Sequence, residues 1–444
     1  MDTIAFEKYV NDIIKTEVAA GMAVAVIDRS GNTLYQSFFG YRDVKNKLPI
    51  DENTIFGMAS VTKSFVALSI MQLYEKGRLS LDDSVSKYIP EFTNKNQDDV
   101  KIRHLLNHTA SYYPLKRTQL ADVAKQYGYS EATHGDLGLI KELSQIGTRL
   151  VAKQMDEQTD FIIGKPGKYF SYCNDGFGLL SEIVARVSGE DSFADYLQKN
   201  VLTPLGMTRS ACEYARMRDD ANSTVLYTQK DGALAECDYY NIGFVLAGAG
   251  ALKSTLCDMK KAVRMYLNCG EGILSADGIK TMCTPTVDCG INTRYCMGLK
   301  QKSHGKYTVT EHNGSQPGVS SNIAWSHDTG LGVIVLCNTE NVSASGISEA
   351  AMQMATGTEP DPVVYTKWDD ATKAAACGRY VTNEGIANDA VIKCENGKLF
   401  LNGKPVLPID DTTALVGKSH IKLFFENNTV FAIRYGMRML KKEL

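Results

Sequence analysis

The sequence predicts an α/β fold of the α+β type, with an antiparallel sheet flanked by helices, an inserted helical lobe and a small C-terminal all-β domain. Three observations predict it. Strand patterns lie near both ends of residues 1–358, and the stretch between Ser60 and about Lys280 is mostly helical. Beyond residue 362, short alternating segments separated by turn residues continue to the end of the chain.

The N-terminal elements follow from periodicity. Residues 4–18 have the spacing of an amphipathic helix. Met22–Ile27 and Thr33–Phe39 have strand composition, and the turn residues 28–32 between them indicate a hairpin.

Strand patterns return after the helical middle in three segments: Tyr307–Glu311, Ser320–Trp325 and Leu331–Asn338. A helix follows near Ile347–Thr356. Strands at both ends of a helical middle indicate one sheet built from the two ends of a domain. The turn-rich stretch Gly357–Pro362 is the expected boundary, so we predict domains at 1–358 and 373–444.

The tail contains five short alternating segments: Gly378–Thr382, Ala390–Cys394, Lys398–Leu401, Ile421–Phe425 and Val430–Tyr435. Asn-Gly pairs at residues 396–397 and 402–403 punctuate them. Asn-Gly is a strong hairpin signal, so the tail is predicted to be a small all-β domain.

Composition excludes several classes of partner. Of the 444 residues, 44% are hydrophobic and 22% are charged, as in ordinary globular proteins. The net charge of −3 gives no basic surface for nucleic acid or an anionic membrane. The longest apolar runs, Met22–Ile27 and Val333–Cys337, are far shorter than a membrane span. We therefore expect neither a nucleic-acid nor a membrane partner.

Cysteine usage indicates a reducing compartment. The eleven cysteines are scattered from Cys173 to Cys394 without a C-x-x-C pair, which is typical of reduced thiols. The first twenty residues carry charges at helix-like spacing and have no apolar core of a signal peptide. We expect a cytoplasmic protein.

Ser60-Val61-Thr62-Lys63 opens the most apolar helical stretch of the chain, which continues to Tyr74. This helix is expected to be buried because it is apolar nearly all round. Residues i and i+3 share one helix face, so Lys63 can reach the Ser60 side chain. A serine is a weak nucleophile until a base takes its proton, and a poorly solvated lysine can be that base. Other Ser-x-x-Lys segments lie in polar or turn-rich surroundings and are interpreted as surface: Ser84–Lys87, Ser303–Lys306 and Ser419–Lys422.

Two further short patterns follow Ser60 in the chain. Tyr172-Cys173-Asn174 lies in a turn-rich loop that enters a helix, and His312-Asn313-Gly314 ends a predicted strand. Taken singly, each of these residues has a structural explanation, such as a core phenol or a hydrogen-bonded core histidine. Their order and their contexts favour a shared functional role.

Together these residues resemble the serine β-lactamase and penicillin-binding-protein superfamily, specifically its class C-like serine hydrolase branch of D-aminopeptidase and D,D-carboxypeptidase type. Five ordered stretches within about residues 5–355 carry the resemblance: Phe56–Lys63, His104–Thr109, Pro166–Asn174, Pro204–Met207 and His312–Ser321. The tail from about Cys377 is similar to the lipocalin-like β domain that some members append. The resemblance implies a β-lactamase/transpeptidase-like sheet and lobe.

The resemblance also implies the catalytic residues. Ser60 would be the nucleophile that forms an acyl-enzyme, and Lys63 would share its proton. Tyr172 would act with Lys63 as general base and then return a proton to the leaving group. The backbone N–H groups of Ser60 and Ser315 would form the oxyanion hole.

Four residues are implied to bind substrate: Asn174, His312, Gly314 and Ser315. Asn174 would hydrogen-bond the acyl-side amide, and Gly314 would leave room beside the strand. His312 stands where many members have the lysine of a Lys-Thr-Gly motif. A lysine is a permanent cation suited to a substrate carboxylate, whereas histidine is mostly neutral above about pH 7. This departure argues against a true β-lactamase.

The expected function is a serine hydrolase that acts through an acyl-enzyme on amide or ester bonds. The favoured interpretation is a peptidase or amidase on small peptides or D-amino-acid derivatives, with the tail domain narrowing the cleft. Three alternatives remain: a carboxylesterase or acyltransferase, a β-lactamase or penicillin-binding protein, and a non-catalytic binding protein on this fold.

No metal or cofactor is expected. His104 and His108 have the spacing of a zinc pair, but Leu105 stands where a His-Glu-x-x-His motif has its glutamate, and no third ligand is evident. The expected partner is a small-molecule or short-peptide substrate, and the sequence leaves the oligomeric state open.

Overall fold

A computed structural model describes residues 2–93, 99–113, 139–157, 163–237, 247–359, 361–382 and 389–443. It contains a nine-stranded antiparallel sheet, helices on both faces of that sheet and a closed C-terminal barrel. The predicted fold class is confirmed. The domain limits 1–358 and 373–444 stay a prediction, and Pro360 in the expected boundary lies outside the described residues.

The first part of the chain has thirteen strands among its described residues. In chain order they are β1 (Gly21–Asp28), β2 (Thr33–Asp43), β3 (Leu48–Pro49), β4 (Phe56–Gly57), β5 (Leu226–Lys230), β6 (Ala233–Cys237), β7 (Lys253–Ser254), β8 (Val287–Gly290), β9 (Thr293–Tyr295), β10 (Lys300–His304), β11 (Tyr307–Gln316), β12 (Val319–Ser326) and β13 (Leu331–Cys337). The large sheet has the order β3-β2-β1-β13-β12-β11-β10-β9-β8, and β4-β7 and β5-β6 form two small pairs.

The α-helices of the described residues lie mostly between β4 and β8 in the chain. They are α1 (Thr3–Thr16), α2 (Thr62–Glu75), α3 (Ile102–Leu106), α4 (Lys141–Asp156), α5 (Asn174–Ser188), α6 (Phe193–Leu197), α7 (Tyr214–Arg218), α8 (Ala247–Gly250), α9 (Leu256–Leu267), α10 (Ala276–Cys283), α11 (Ala344–Thr356) and α12 (Asp370–Ala376). Short 3₁₀ turns occur at Ala59–Val61 and Val85–Lys87, and a π-helical turn at Gln198–Leu202.

Strand β1 separates two hydrophobic cores. Side chains alternate between the faces of a strand. Ala23, Ala25 and Ile27 belong to the large core under the helical lobe, whereas Met22 and Val24 belong to the core beneath α1 and α11. Strand β13 pairs with β1 from Met22–Cys337 to Asp28–Leu331, so the two ends of this domain meet in the middle of the sheet, as the sequence predicts.

Helix α2 is buried on all sides. Every residue from Thr62 to Leu73 is buried, because α5, α8 and α10 pack around it. The sequence expectation for this helix is therefore correct. The rigid surroundings hold the first turn of α2, and the residues that it carries, at one position beside the sheet.

Several elements differ from the sequence expectation. The hairpin β5–β6 interrupts the helical middle, and β8, β9 and β10 extend the sheet beyond the strands expected there. Strand β11 continues to Gln316, so His312 and Gly314 lie within a strand and do not end one, contrary to our expectation. The strand continues because β12 pairs with it as far as Gln316–Val319.

The tail forms a closed eight-stranded barrel of antiparallel neighbours. Its strands are β14 (Gly378–Val381), β15 (Ala390–Glu395), β16 (Lys398–Leu401), β17 (Lys404–Pro408), β18 (Thr413–Val416), β19 (Ser419–Glu426), β20 (Thr429–Tyr435) and β21 (Arg438–Lys442). Five of these segments were expected, and β17, β18 and β21 were not. Trp368 packs into the barrel core, and its indole N–H donates to the carbonyl oxygen of Asp410 at 2.7 Å.

Two of the places where the barrel packs on the first domain involve side chains of β19, β20 and β21. Arg434 Nη1 donates to the carbonyl oxygen of Asp288 at 2.6 Å, and Lys422 forms an ion pair with the Asp288 carboxylate. The second place is an apolar cluster in which Ala432 and Met439 of the barrel contact Tyr113 of the first domain. These contacts bring the β20–β21 turn next to residues 170–173.

Candidate active site

Ser60 lies in a short 3₁₀ turn that leads directly into α2. Ala59, the residue before it, has φ of 44°, a left-handed conformation that costs a non-glycine residue roughly 1–2 kcal/mol. Thr62 Oγ1 donates to the carbonyl oxygen of Ala59 at 2.7 Å and accepts from the amide of Leu252 at 3.0 Å. The turn that holds Ser60 is therefore fixed from two sides.

Lys63 is fully buried, and its amine contacts Ser60. Lys63 Nζ donates to Ser60 Oγ at 3.0 Å and to the carbonyl oxygen of Ala249 at 2.7 Å. The carbonyl, in helix α8, orients the amine toward the serine. Ser60 itself is partly exposed, so its hydroxyl is accessible from the cleft while the amine beneath it is not.

Tyr172 lies beside this pair with 9% of its surface exposed. The Lys63 amine is 4.9 Å from the centre of the Tyr172 ring. The neighbouring amide of Cys173 donates to His108 Nδ1 at 3.1 Å, which anchors the segment that carries Tyr172. The structure therefore holds the Tyr172 ring beside the Lys63 amine.

Asn174 is the first residue of helix α5 and is partly exposed. It follows Tyr172 by two residues in the chain. The Ser60 turn, Tyr172 and strand β11 come from three distant parts of the sequence. The structure places Tyr172 beside the Lys63 amine and β11 against the turn of Ser60.

Gly314 lies where β11 touches the turn of Ser60. A Cβ at this position would lie 2.3 Å from the carbonyl oxygen of Met58 and 2.5 Å from Ser321 Oγ. The same Met58 oxygen accepts a hydrogen bond from Ser321 Oγ at 2.8 Å. Strand β11 approaches the turn this closely because residue 314 has no side chain. Ser315, the next residue, is exposed.

His312 is connected to His108 through the hydroxyl of Tyr295. The Tyr295 oxygen lies 3.1 Å from Nε2 of each histidine. His312 Nδ1 lies 2.7 Å from the carbonyl oxygen of Asn313, an acceptor, so Nδ1 carries the proton. Nε2 of neutral His312 is then an acceptor for the Tyr295 hydroxyl.

His108 has the opposite arrangement. Its Nδ1 accepts from the amide of Cys173, so its proton is on Nε2 and is donated to Tyr295. Two hydrogen bonds therefore run in one direction: His108 donates to the Tyr295 hydroxyl, and that hydroxyl donates to His312. All four imidazole nitrogens have protein partners, and the order of donors is fixed along the chain.

Burial keeps all three rings of this chain neutral. Burial lowers the pKa of His312 well below its ordinary value, and the charges of Lys300 and Lys63 lower it further. Burial, followed by the charge of Lys63, lowers the pKa of His108 in the same way. Burial also raises the pKa of the Tyr295 hydroxyl far above its ordinary value.

Strand β10 contributes a paired lysine next to His312. Lys300 Nζ lies 3.1 Å from the Glu311 carboxylate and donates to Asn313 Oδ1 at 2.7 Å. Burial alone would raise the pKa of Glu311, but the charge of Lys300 and hydrogen bonds from Asn322 and Lys300 leave it lowered. The Lys300–Glu311 pair has no net charge. It therefore does not replace the positive charge of the lysine that many members of the resembling superfamily have at the position of His312.

Sequence reasoning missed three residues of this site. Tyr295 lies in a short strand without a motif, and Ala249 contributes only a carbonyl oxygen. Arg438 belongs to the barrel, and its guanidinium carbon lies 5.5 Å from the centre of the Tyr172 ring. No local sequence pattern predicts these contacts. The chain of hydrogen bonds explains how His108 supports the site.

Metal-binding and membrane-spanning features are absent from the part of the chain that the structure describes. Those residues contain no group of three or more His, Cys, Asp or Glu side chains arranged to hold a metal ion. In the same ranges, no helix combines the length and the apolar character that a membrane crossing requires.

A lysine amine 3.0 Å from a serine hydroxyl, buried at the start of a helix beside an antiparallel sheet, is the arrangement of a serine hydrolase. A family model described as Beta-lactamase matches residues 6–355. The chain belongs to this family, whose members are serine hydrolases with an acyl-enzyme mechanism.

Relatives match over most of the chain. A penicillin-binding protein of Bacillus subtilis (strain 168) is 26% identical over 427 residues, which cover 91% of this chain and 86% of that protein. The structure of an octameric penicillin-binding protein homologue from Pyrococcus abyssi has a TM-score of 0.71 and 26% identity, and covers 99% of this chain and 100% of that chain. A D-stereospecific amidohydrolase from Streptomyces sp. has a TM-score of 0.61 and 21% identity, covering 78% of this chain and 98% of that chain, and shares the fold.

Proposed function

We propose that the protein is a peptidase or amidase that cleaves small peptides or D-amino-acid derivatives, with Ser60 as its nucleophile. One observation carries the proposal: the buried Lys63 amine lies 3.0 Å from Ser60 Oγ. A base at this distance can take the hydroxyl proton as the oxygen attacks. The amine is held there by the carbonyl of Ala249 and is not free to turn into solvent.

The first half-reaction acylates the serine. The Ser60 oxygen bonds to the carbonyl carbon of the substrate, and the bond from that carbon to the leaving nitrogen breaks. The serine proton passes through Lys63 and Tyr172 to the leaving amine. Tyr172 suits this relay because its ring lies beside the Lys63 amine at the mouth of the cleft.

The second half-reaction releases the acid. Water bonds to the acyl carbon, and the bond between that carbon and Ser60 Oγ breaks. One proton of the water returns to the serine oxygen through the same two side chains, and the product leaves as a carboxylic acid. In the first half-reaction Lys63 and Tyr172 thus carry a proton from the serine to the leaving amine. In the second they carry a proton from water back to the serine oxygen.

The backbone N–H groups of Ser60 and Ser315 are proposed to stabilise the oxyanion. Each such donor is worth about 2.7–4 kcal/mol in the transition state of acyl transfer. The close approach of β11 to the Ser60 turn at Gly314 supports this pairing of donors. Asn174 is proposed to bind the acyl-side amide from the opposite edge of the cleft.

The state of His312 supports an amidase over a β-lactamase. Its ring is buried and neutral, and both nitrogens are engaged by Tyr295 and Asn313. We therefore assign His312 the task of holding β11 in register beside the substrate. The D-stereospecific amidohydrolase with the same fold is in line with cleavage of D-configured amides.

Adduct formation at Ser60 tests the proposal. The intact mass is measured after treatment with a fluorophosphonate, and hydrolysis is assayed on matched D- and L-aminoacyl amides and p-nitrophenyl esters. We expect a single adduct and amide turnover in the wild-type protein and in Ser84→Ala, which alters a surface Ser-x-x-Lys, and neither in Ser60→Ala.

Other outcomes assign other functions. Turnover of esters alone would make the protein a carboxylesterase, and transfer to an added amine or alcohol an acyltransferase. Rapid hydrolysis of β-lactams would assign a β-lactamase. No adduct and no turnover would leave a non-catalytic binding protein.

A further inference from the structure

The backbone that carries Tyr172 is hydrogen-bonded to the C-terminal barrel. The amide of Tyr172 donates to the carbonyl oxygen of Met437 at 2.9 Å, in the turn between β20 and β21. The amide of Met439, the second residue of β21, donates to Ser171 Oγ at 3.2 Å. Two neighbouring residues of the first domain are therefore held by two residues of the barrel.

The first domain holds the opposite edge of the same segment. The amide of Ser171 donates to the carbonyl oxygen of His108 at 2.9 Å, and the amide of Cys173 donates to His108 Nδ1 at 3.1 Å. Amides of successive residues in an extended chain point to opposite edges. The Tyr172 amide, between the other two, therefore faces away from His108 and meets the carbonyl oxygen of Met437.

These contacts are buried. Ser171 is 3% exposed and Tyr172 is 9% exposed, and Met437 packs against a cluster that contains Phe170, Tyr172 and Tyr295. A buried amide or hydroxyl that loses its partner has no bulk water to replace it. The docked barrel therefore stabilises this conformation of residues 171–173.

We propose that the barrel positions Tyr172 for proton transfer, with Ser171 as a positioning residue, an inference that rests on the proposed function. In that mechanism Tyr172 passes a proton from the Lys63 amine to the leaving amine. The centre of its ring lies 4.9 Å from that amine, and a displacement of about 1 Å at a catalytic group costs about 10²-fold in rate. Backbone hydrogen bonds on both edges of the segment oppose such a displacement. Docking of the barrel is thus a requirement for fast amide cleavage.

Substrates that differ in their leaving group test this role. An aminoacyl amide and the p-nitrophenyl ester of the same acyl group are compared by kcat/KM. An amine must be protonated as it leaves, whereas p-nitrophenolate leaves as an anion, so a displaced Tyr172 slows the amide more than the ester. We expect Ser171→Ala to lower the amide-to-ester ratio by about 10-fold, a part of the 10²–10⁴-fold that general acid–base assistance supplies. Both rates come from one preparation, so the ratio does not depend on the fraction of folded protein.

Thr339→Val is the matched control. Thr339 is fully buried, its Oγ1 accepts the amide of Ala20 at 2.8 Å, and valine keeps the volume without the hydroxyl. This variant should lose stability, as Ser171→Ala does, and leave the amide-to-ester ratio unchanged. An unchanged ratio in Ser171→Ala, or an equal fall in both variants, would overturn the positioning role. Absence of any amide hydrolysis that depends on Ser60 would instead overturn the proposed function.

Discussion

The hydroxyl oxygen of Tyr295 lies 3.1 Å from Nε2 of His312. This contact determines what the histidine can do. Because Nδ1 donates to the carbonyl oxygen of Asn313, Nε2 accepts the tyrosine proton, and the ring has no N–H left for a ligand. We therefore propose that His312 positions its strand, with Tyr295 holding the ring in that tautomer.

Tyr295→Phe should destabilise the protein. The change leaves Nε2 of His312 without a donor and the Nε2–H of His108 without an acceptor, both in a buried setting. Each unsatisfied buried group costs about 1–3 kcal/mol, so we expect the free energy of unfolding to fall by about 2 kcal/mol or more. Urea denaturation measures this change, and nitrogen chemical shifts of the imidazoles report a loss of the fixed tautomers.

Tyr196→Phe is the matched control. Tyr196 is also buried, but its hydroxyl has no hydrogen-bond partner within the described ranges. Its removal should leave the free energy of unfolding within about 0.5 kcal/mol of the wild type or raise it. Equal losses in the two variants would show that the hydroxyl of Tyr295 does not link the histidines.

Lys63→Met should lower kcat while the fold is kept. Methionine fills similar volume without the amine, and general-base assistance is typically worth 10²–10⁴-fold, so we expect a loss of about that size in kcat. Lys87→Met is the control, since Lys87 has the same spacing from Ser84 but lies 57% exposed in an ion pair with Asp83. A Lys63→Met enzyme with wild-type kcat would remove the amine from the mechanism.

Local patterns were sufficient for parts of this structure. The contact of Lys63 with Ser60 follows from i, i+3 spacing at the start of a helix, and the burial of α2 follows from its composition. The hairpin β1–β2 and the return of the chain at β13 follow from alternating apolar runs.

Other parts depend on long-range packing that no local pattern encodes. Strands β9 and β10 are short and polar. Strand β10 forms on the edge that β11 offers, and β9 in turn pairs with β10. Tyr295 lies between His108 and His312 for the same reason. The position of Arg438 depends on how the barrel docks, which is decided by contacts such as Asp288 with Arg434.

Gly314→Ala should lower kcat/KM and destabilise the protein. The added methyl would meet the carbonyl oxygen of Met58 at 2.3 Å, and this backbone atom belongs to the turn that holds Ser60. Overpacking typically costs about 1–3 kcal/mol, and a displacement of about 1 Å at a catalytic group costs about 10²-fold in rate.

Gly332→Ala separates the two effects. Gly332 lies in β13 of the same sheet, away from Ser60. The added methyl would lie 2.3 Å from Cγ1 of Val263 in α9. It should reduce the free energy of unfolding by a similar amount without reducing kcat/KM at a temperature where both variants are folded. Equal losses of activity in the two variants would contradict a specific role for the contact at residue 314.

The buried histidines make the stability of the fold depend on pH. Burial lowers the pKa values of His108 and His312 well below 6.5, and burial with the charge of Arg434 lowers that of His420 to about 4. In the unfolded chain each titrates near 6.5. Below that pH the unfolded state binds protons that the folded state does not, so acid favours unfolding.

We therefore expect the free energy of unfolding to be independent of these groups above about pH 7 and to decrease as the pH falls below 6.5. Each histidine contributes a slope of at most about 1.4 kcal/mol per pH unit until its folded pKa is reached. Urea denaturation between pH 5 and pH 8, in about half-unit steps, measures the slope. His312→Gln removes one titrating group, so its curve should be shallower below pH 6.5 and parallel to the wild type above pH 7. Parallel curves over the whole range would mean that His312 titrates alike in the folded and unfolded chains, which a buried neutral ring held between Tyr295 and Asn313 does not allow.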